Sequence, residues 1–163
     1  MVLARTGDNA RAEQLADGLS AQYPVGTIMQ SYTLPSIRAM IEVNRKNPSK
    51  AIALLNAALP YELAMQSFAN VQPAYVRGLA YLEAGDGPKA VAEFRKLIAN
   101  PGVVTSSITG ALAYLQLARA EEMSGNKEQA RTSYQDFLAL WKDADPNIPV
   151  LKQAKGEYAL LQN

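Results

Sequence analysis

Four turn signals divide this chain at a nearly constant interval. Gly7-Asp8, Lys46-Asn47, Gly85-Asp86 and Gly125-Asn126 begin 39, 39 and 40 residues apart. The residues behind them keep step. Five positions past each turn stands an alanine: Ala12, Ala51, Ala90 and Ala130. Nine past stand Ala16, Leu55, Phe94 and Tyr134, and twelve past stand Leu19, Ala58, Leu97 and Phe137. Apolar residues at intervals of four and three cover one face of a helix, so each turn leads into an amphipathic helix. A period of this length means stacked copies of one unit, none able to bury its apolar face alone. The stretch from Gly78 to Phe94 shows the unit most clearly. Gly78 and Tyr81 lie on a first helix, Gly85-Asp86 turns the chain, and Ala90 and Phe94 lie on a second. A small residue opposite a large one lets two antiparallel helices approach closely. The expectation is an all-α helical-hairpin stack of about three and a half repeats, residues 1–163 forming one domain.

Taken in order, the units span about 1–24, 25–59, 72–100 and 104–142, with a capping helix over 148–161. The first unit keeps only its second helix, for which Asp8 is the expected N-cap; the chain therefore reads as starting within a repeat. In the second, Thr27 is the expected N-cap, and Pro35 predicts a kink or break near Thr33-Leu34 because it removes a backbone donor and crowds the preceding turn. Asn47 is expected to cap the partner helix, with Pro48 at its first position. Pro60 is expected to end that helix. Residues 60–71 have no clean period, yet Tyr61, Leu63, Met65 and Phe68 are too apolar for a free linker, which predicts that they pack. In the last helix Val150, Leu151, Ala154, Tyr158 and Leu161 share one face, as a terminal cap requires.

Composition narrows the function. The 163 residues are 48% hydrophobic and 19% charged, in the range of folded proteins, with a net charge of +1. A near-neutral chain lacks the basic excess of a nucleic-acid or anionic-membrane footprint. There is no cysteine and no histidine, which removes the usual ligands of zinc and copper and the commonest neutral-pH general base. Neither a metal nor a cofactor is expected, and a catalytic role would rest on carboxylates, lysine or tyrosine. Glu121 and Glu122 are adjacent on a helix and face different ways, so a converging carboxylate pair is not expected there. Gly85-Asp86-Gly87-Pro88-Lys89 lacks the spacing of a phosphate loop and joins two helices.

Gly78, Tyr81, Gly85, Ala90 and Phe94 resemble the small, aromatic and alanine positions of the tetratricopeptide repeat, although the period is longer than that family's 34 residues. Three segments, Ser31–Ala39, Pro73–Gly78 and Phe137–Pro146, are similar to the C-terminal repeat region of bacterial eukaryotic-like serine/threonine kinases; similar regions follow winged-helix regulators. The resemblance implies a right-handed superhelical stack that senses or recruits while another domain performs chemistry. The sequence itself lacks the His-Arg-Asp motif of a kinase catalytic loop. The resemblance is compatible with a cytoplasmic module or with the extracytoplasmic part of a membrane-anchored kinase.

In tetratricopeptide folds the first helix of each pair lines the concave face. Mapped onto this chain, that face carries Ser36, Ile37 and Met40 from the second unit, Tyr75, Leu79 and Leu82 from the third, and Leu115, Gln116, Arg119 and Glu122 from the fourth. Some family members clamp a peptide's terminal carboxylate with lysine and asparagine; the matching positions here, Tyr75, Leu79, Leu115 and Arg119, do not reproduce that clamp. A face of aromatic, aliphatic and methionine side chains suits an amphipathic helix or an apolar extended segment. The expected partner is therefore a protein or peptide. The alternatives are a small-ligand pocket enclosed by the repeats and residues 60–71, or self-coverage of the face by that loop. Arg38, Arg77 and Arg119 are candidates for binding a carboxylate or phosphate, or for pairing with a neighbouring glutamate.

Overall fold

A computed structural model describes residues 1–63, 71–104 and 107–162. The described residues are helical and contain no β-strand. Ten α-helices follow in order: α1 (Val2–Arg5), α2 (Asn9–Gln22), α3 (Leu34–Asn44), α4 (Pro48–Leu55), α5 (Gln72–Glu83), α6 (Gly87–Ile98), α7 (Pro101–Val104), α8 (Ile108–Met123), α9 (Lys127–Leu140) and α10 (Pro149–Leu161).

The four turns are copies of one another in backbone detail. Gly7, Lys46, Gly85 and Gly125 all have positive φ, between 62° and 86°. In each, the next residue's N–H reaches back five positions, to Leu3, Glu42, Tyr81 and Glu121, at 2.8–2.9 Å. The positive-φ residue itself donates to the carbonyl three before it. This pair of bonds satisfies the last carbonyls of the first helix and turns the chain into the second. Glycine serves at three positions because a left-handed backbone crowds a Cβ. At the fourth, Lys46 accepts that conformation. Asp8 and Asp86 then cap their helices by accepting from Arg11 N and Lys89 N at 3.3 and 3.2 Å. Asn47 does not cap with its side chain; its amide donates to Glu42 instead.

The periodic residues all turn inward. Ala51, Ala90 and Ala130 are fully buried and Ala12 nearly so; Ala16, Leu55, Phe94 and Tyr134 are fully buried too. Gly78 earns its place opposite Phe94: a Cβ there would lie 2.5 Å from the ring tip. Each hairpin meets the first helix of the next through both of its own helices. α3 touches α5 and α5 touches α8, while α4 packs against α5 and α6 against α8. The first helices therefore form an inner layer and the second helices an outer one. At the end of the stack, α10 buries Leu151, Ala154 and Leu161 against Ala130, Tyr134 and Phe137, completing the terminal core.

Proline sets the irregular features. The Pro35 break takes the form of a π-helical stretch, Met29–Thr33, that changes to α-helix at Leu34. Leu34 N bonds Met29 O, one residue further back than in an α-helix, so the ladder is re-phased where proline cannot donate. Thr27 lies inside the first turn of that helix, and Gly26 O accepts the first bond, so Gly26 and not Thr27 holds the cap position. Pro60 does not stop α4. The helix tightens at Asn56 into a 3₁₀ stretch that runs through Pro60 to Tyr61. Of the apolar loop expected over 60–71, residues 64–70 lie outside the described residues. Tyr61 and Leu63 are half-buried.

A buried ionic cluster holds the 3₁₀ stretch in place. Arg77 donates to both oxygens of Glu62, to Glu93 at 3.1 Å and to Leu55 O at 3.2 Å. Lys96 adds 2.9 Å and 3.5 Å contacts to Glu93 and Glu62. Two cations thus face two carboxylates, and the charges balance, as burial requires.

Candidate functional site

The sequence-selected residues lie on the first helices α3, α5 and α8, in three groups, and most of them face the core that these helices share with the second helices. Ser36, Ile37 and Met40 on α3 are nearly buried. Ser36 Oγ donates to Tyr32 O at 2.6 Å, the local bond that a hydroxyl makes within a helix. Ser36 and Ile37 also line a small apolar pocket of about 80 Å³ with Tyr32, Thr33, Gln72 and Met1. On α5, Leu79 and Leu82 keep part of their surface open while packing against the core below. Tyr75 is 4% exposed and meets Phe94 edge-on, ring centroids 5.8 Å apart. Burial raises its phenol pKa above the usual value, the nearby Arg5 opposing.

The third group, on α8, is largely engaged by its own chain. Leu115 is fully buried in the core shared with α9 and α10 and offers no surface. Gln116 is nearly buried. Arg119 makes a two-pronged pair with Glu157 of α10, both contacts 2.9 Å. Glu122 is exposed and accepts from Tyr134 Oη at 3.4 Å, which also donates to Glu157. The capping helix therefore does more than hide an apolar end: its polar flank binds the α8 end of the inner face. α3 is almost wholly buried, so the part-exposed surface lies mainly on α5, at Gln72, Leu79 and Leu82, and in the first turns of α8.

The three candidate arginines each have an internal carboxylate. Arg38 pairs with Asp17 at 3.0 Å, Arg77 lies in the cluster with Glu62 and Glu93, and Arg119 holds Glu157. Glu121 and Glu122 diverge: Glu121 is buried and accepts from Arg95 and Ser133, away from the partners of Glu122. Among the described residues no three carboxylates gather where they could hold a metal ion. Among the described residues no helix is long and apolar enough to cross a membrane.

Sequence reasoning missed Arg5. The fragmentary α1 delivers it to the inner layer, where Nη2 donates to Gln72 Oε1 of α5 at 3.0 Å and Thr109 Oγ1 of α8 at 3.2 Å. Its guanidinium stacks 4.8 Å from the Tyr75 ring centroid. These contacts cross 67 and 104 residues of chain, and no local pattern around Arg5 signals them. A larger open hollow of about 560 Å³ lies elsewhere, between the ends of α6, α8 and α9, walled by Leu97, Val104, Ile108, Tyr114, Leu140 and Trp141. It contains none of the residues selected from sequence.

The hairpin α8–α9 joins a glycine turn of positive φ to a helix with alanine, tyrosine and phenylalanine facing inward. Residues 112–144 match the tetratricopeptide repeat family. No curated protein and no solved structure matches the chain. The match covers most of the fourth hairpin, and the other three share its turn geometry and its buried alanine. The chain is thus an all-α helical-repeat fold whose fourth hairpin, α8–α9, matches the tetratricopeptide repeat. Such repeats generally mediate protein–protein interaction.

Proposed function

We propose that the chain is a protein-interaction module that holds a peptide or protein segment on its inner, concave face, over α3, α5 and the start of α8. The observation that carries this reading is the tetratricopeptide match over residues 112–144, combined with the part-exposed apolar side chains Leu79 and Leu82 on the first helix α5. Leu79 and Leu82 supply apolar contact, the small pocket beside Ser36 and Ile37 takes a side chain, and Arg5 and Gln116 offer polar contacts. Apolar walls with few polar groups suit a segment that buries side chains while its backbone stays near solvent.

The same reading makes the module the recruiting or sensing part of a larger signalling protein such as a serine/threonine kinase. The likeness of Ser31–Ala39, Pro73–Gly78 and Phe137–Pro146 to kinase-associated repeats supports that placement.

Site-specific photo-crosslinking tests the face directly. A crosslinker at Leu82 should capture a bound segment, and one at Asp136, exposed on the outer helix α9, should not. Equal capture from both positions would refute the assignment.

A further inference from the structure

We propose that Arg5 reads an acidic side chain of the segment held on the inner face. This rests on the reading above and specifies what that surface selects. The first observation is an imbalance. Arg38, Arg45, Arg77, Arg95, Arg119 and Arg131 each pair with a carboxylate of this chain. Arg11 pairs with none, but its side chain lies in open solvent. Arg5 is half-buried, and among the described residues no carboxylate is paired with it. The residues outside the described ones, 64–70, 105, 106 and 163, include no Asp or Glu side chain.

The second observation is how the guanidinium is held. Its two protein acceptors, Gln72 and Thr109, are both neutral, and both are met by Nη2. Nε is buried without a partner, whereas Nη1 has no acceptor among the described residues and is not among the fully buried unpaired atoms. The Tyr75 ring fixes the plane of the group. A guanidinium remains protonated at physiological pH even where burial lowers its pKa, as here. A partly desolvated cation without a counter-charge is costly, and an incoming carboxylate recovers that cost through a charge-assisted bond. Gln72 also lines the small apolar pocket beside Ser36 and Ile37. An acidic side chain on Arg5 therefore brings a neighbouring aliphatic side chain to that pocket.

A library of decapeptides, N-acetylated and C-amidated so that no terminal carboxylate is present, tests this with the full chain. Retained peptides should share an Asp or Glu, and replacing it with Asn or Gln should weaken binding by about tenfold or more, the scale of one charge-assisted hydrogen bond. That comparison needs no variant of the protein. Arg5→Met, with its fold checked by circular dichroism, should weaken the acidic peptide to the level of its amide counterpart and leave the amide peptide unaffected. Retained peptides without acidic preference would overturn the proposal, as would equal loss of both peptides in a folded R5M. Preference for phosphoserine over Asp and Glu would assign the cation to phosphate and overturn it likewise. Retention of no peptide at all would overturn the peptide-binding face itself.

Discussion

Gly78→Ala isolates the contact on which the close approach of α5 and α6 depends. The added Cβ would lie 2.5, 2.6 and 3.0 Å from three ring carbons of Phe94. Carbon atoms in contact prefer about 3.5–4.0 Å, so the shortfall is about 1 Å. The ring cannot easily turn aside, because Phe94 is fully buried and meets the edge of Tyr75. Overpacking of this kind costs about 1–3 kcal/mol. Replacing a mid-helix glycine with alanine returns about 0.5–1 kcal/mol of backbone entropy. The net loss is about 1–2 kcal/mol, which lowers Tm by about 2–8 °C in a domain of this size. Gly18→Ala is the control: it is also helical, with nothing within 4 Å of the added carbon. It should gain about 0.5–1 kcal/mol. Phe94→Leu should blunt the harm of Gly78→Ala, giving a coupling of about 0.5–3 kcal/mol in a double-mutant cycle. Urea denaturation followed by circular dichroism reads the parent chain, the three single variants and the double variant. If Gly78→Ala proves as stabilising as Gly18→Ala, or shows no coupling to Phe94, the packing argument is wrong.

Other perturbations test separate parts of the structure. Gly85→Ala places a side chain at φ 73° with open space around it, so its cost of about 1–2 kcal/mol is backbone strain alone. Lys46→Gly should move the other way, stabilising by up to about 1 kcal/mol, because the exposed Lys46–Glu83 pair that it removes contributes little. Arg77→Met leaves Glu62 and Glu93 buried without their main cation and should cost about 3–5 kcal/mol at neutral pH, measured by urea midpoint, with partial recovery once the carboxylates are protonated. Glu42 is nearly buried; burial pushes its carboxyl pKa up, but bonds from Lys50, Asn47 and Arg45 outweigh that and hold it below the usual 4.5. Its contribution to stability is therefore present above the usual carboxylate pKa and lost as pH falls through the folded value, so Glu42→Gln should flatten the acid limb of a pH–Tm profile. Burial raises the phenol pKa of Tyr32, Tyr75 and Tyr134, which keeps their stabilisation intact below the usual 10.0 and removes it as pH rises beyond, so Tm should fall on the alkaline side.

The parts of the fold that were legible in sequence are those set by local rules repeated in register. A glycine or lysine followed by Asp or Asn, then alanine five places past the turn, marks each hairpin, and these positions carry the buried alanines and the reversed turns. Even Lys46 was legible as a turn, because Gly7, Gly85 and Gly125 fix the interval around it. The π-helical entry to α3 was legible only as a disturbance near Pro35. Proline deletes a donor, but how the ladder re-phases depends on what the preceding turn packs against. Which side chains of the first helices stay available was not legible. Leu115 is buried against α9 and α10, and Arg119 is held by Glu157 of α10, a residue 38 positions later in the chain. Arg5 was hidden for the same reason, since its neighbours come from α5 and α8 and its own helix is a single turn.

Single cysteines give the most direct test of the repeat register, since the natural sequence contains none. Ala12→Cys, Ala51→Cys, Ala90→Cys and Ala130→Cys place a thiol at the equivalent buried position of each unit, and Ala53→Cys, Ala92→Cys and Ala139→Cys place one on the exposed side of the same helices. The stacked-hairpin account predicts that the first four react with a thiol reagent only as fast as the protein unfolds, while the last three react at once. Immediate reaction at any of the four equivalent alanines, in a protein that keeps its helical content, would contradict it.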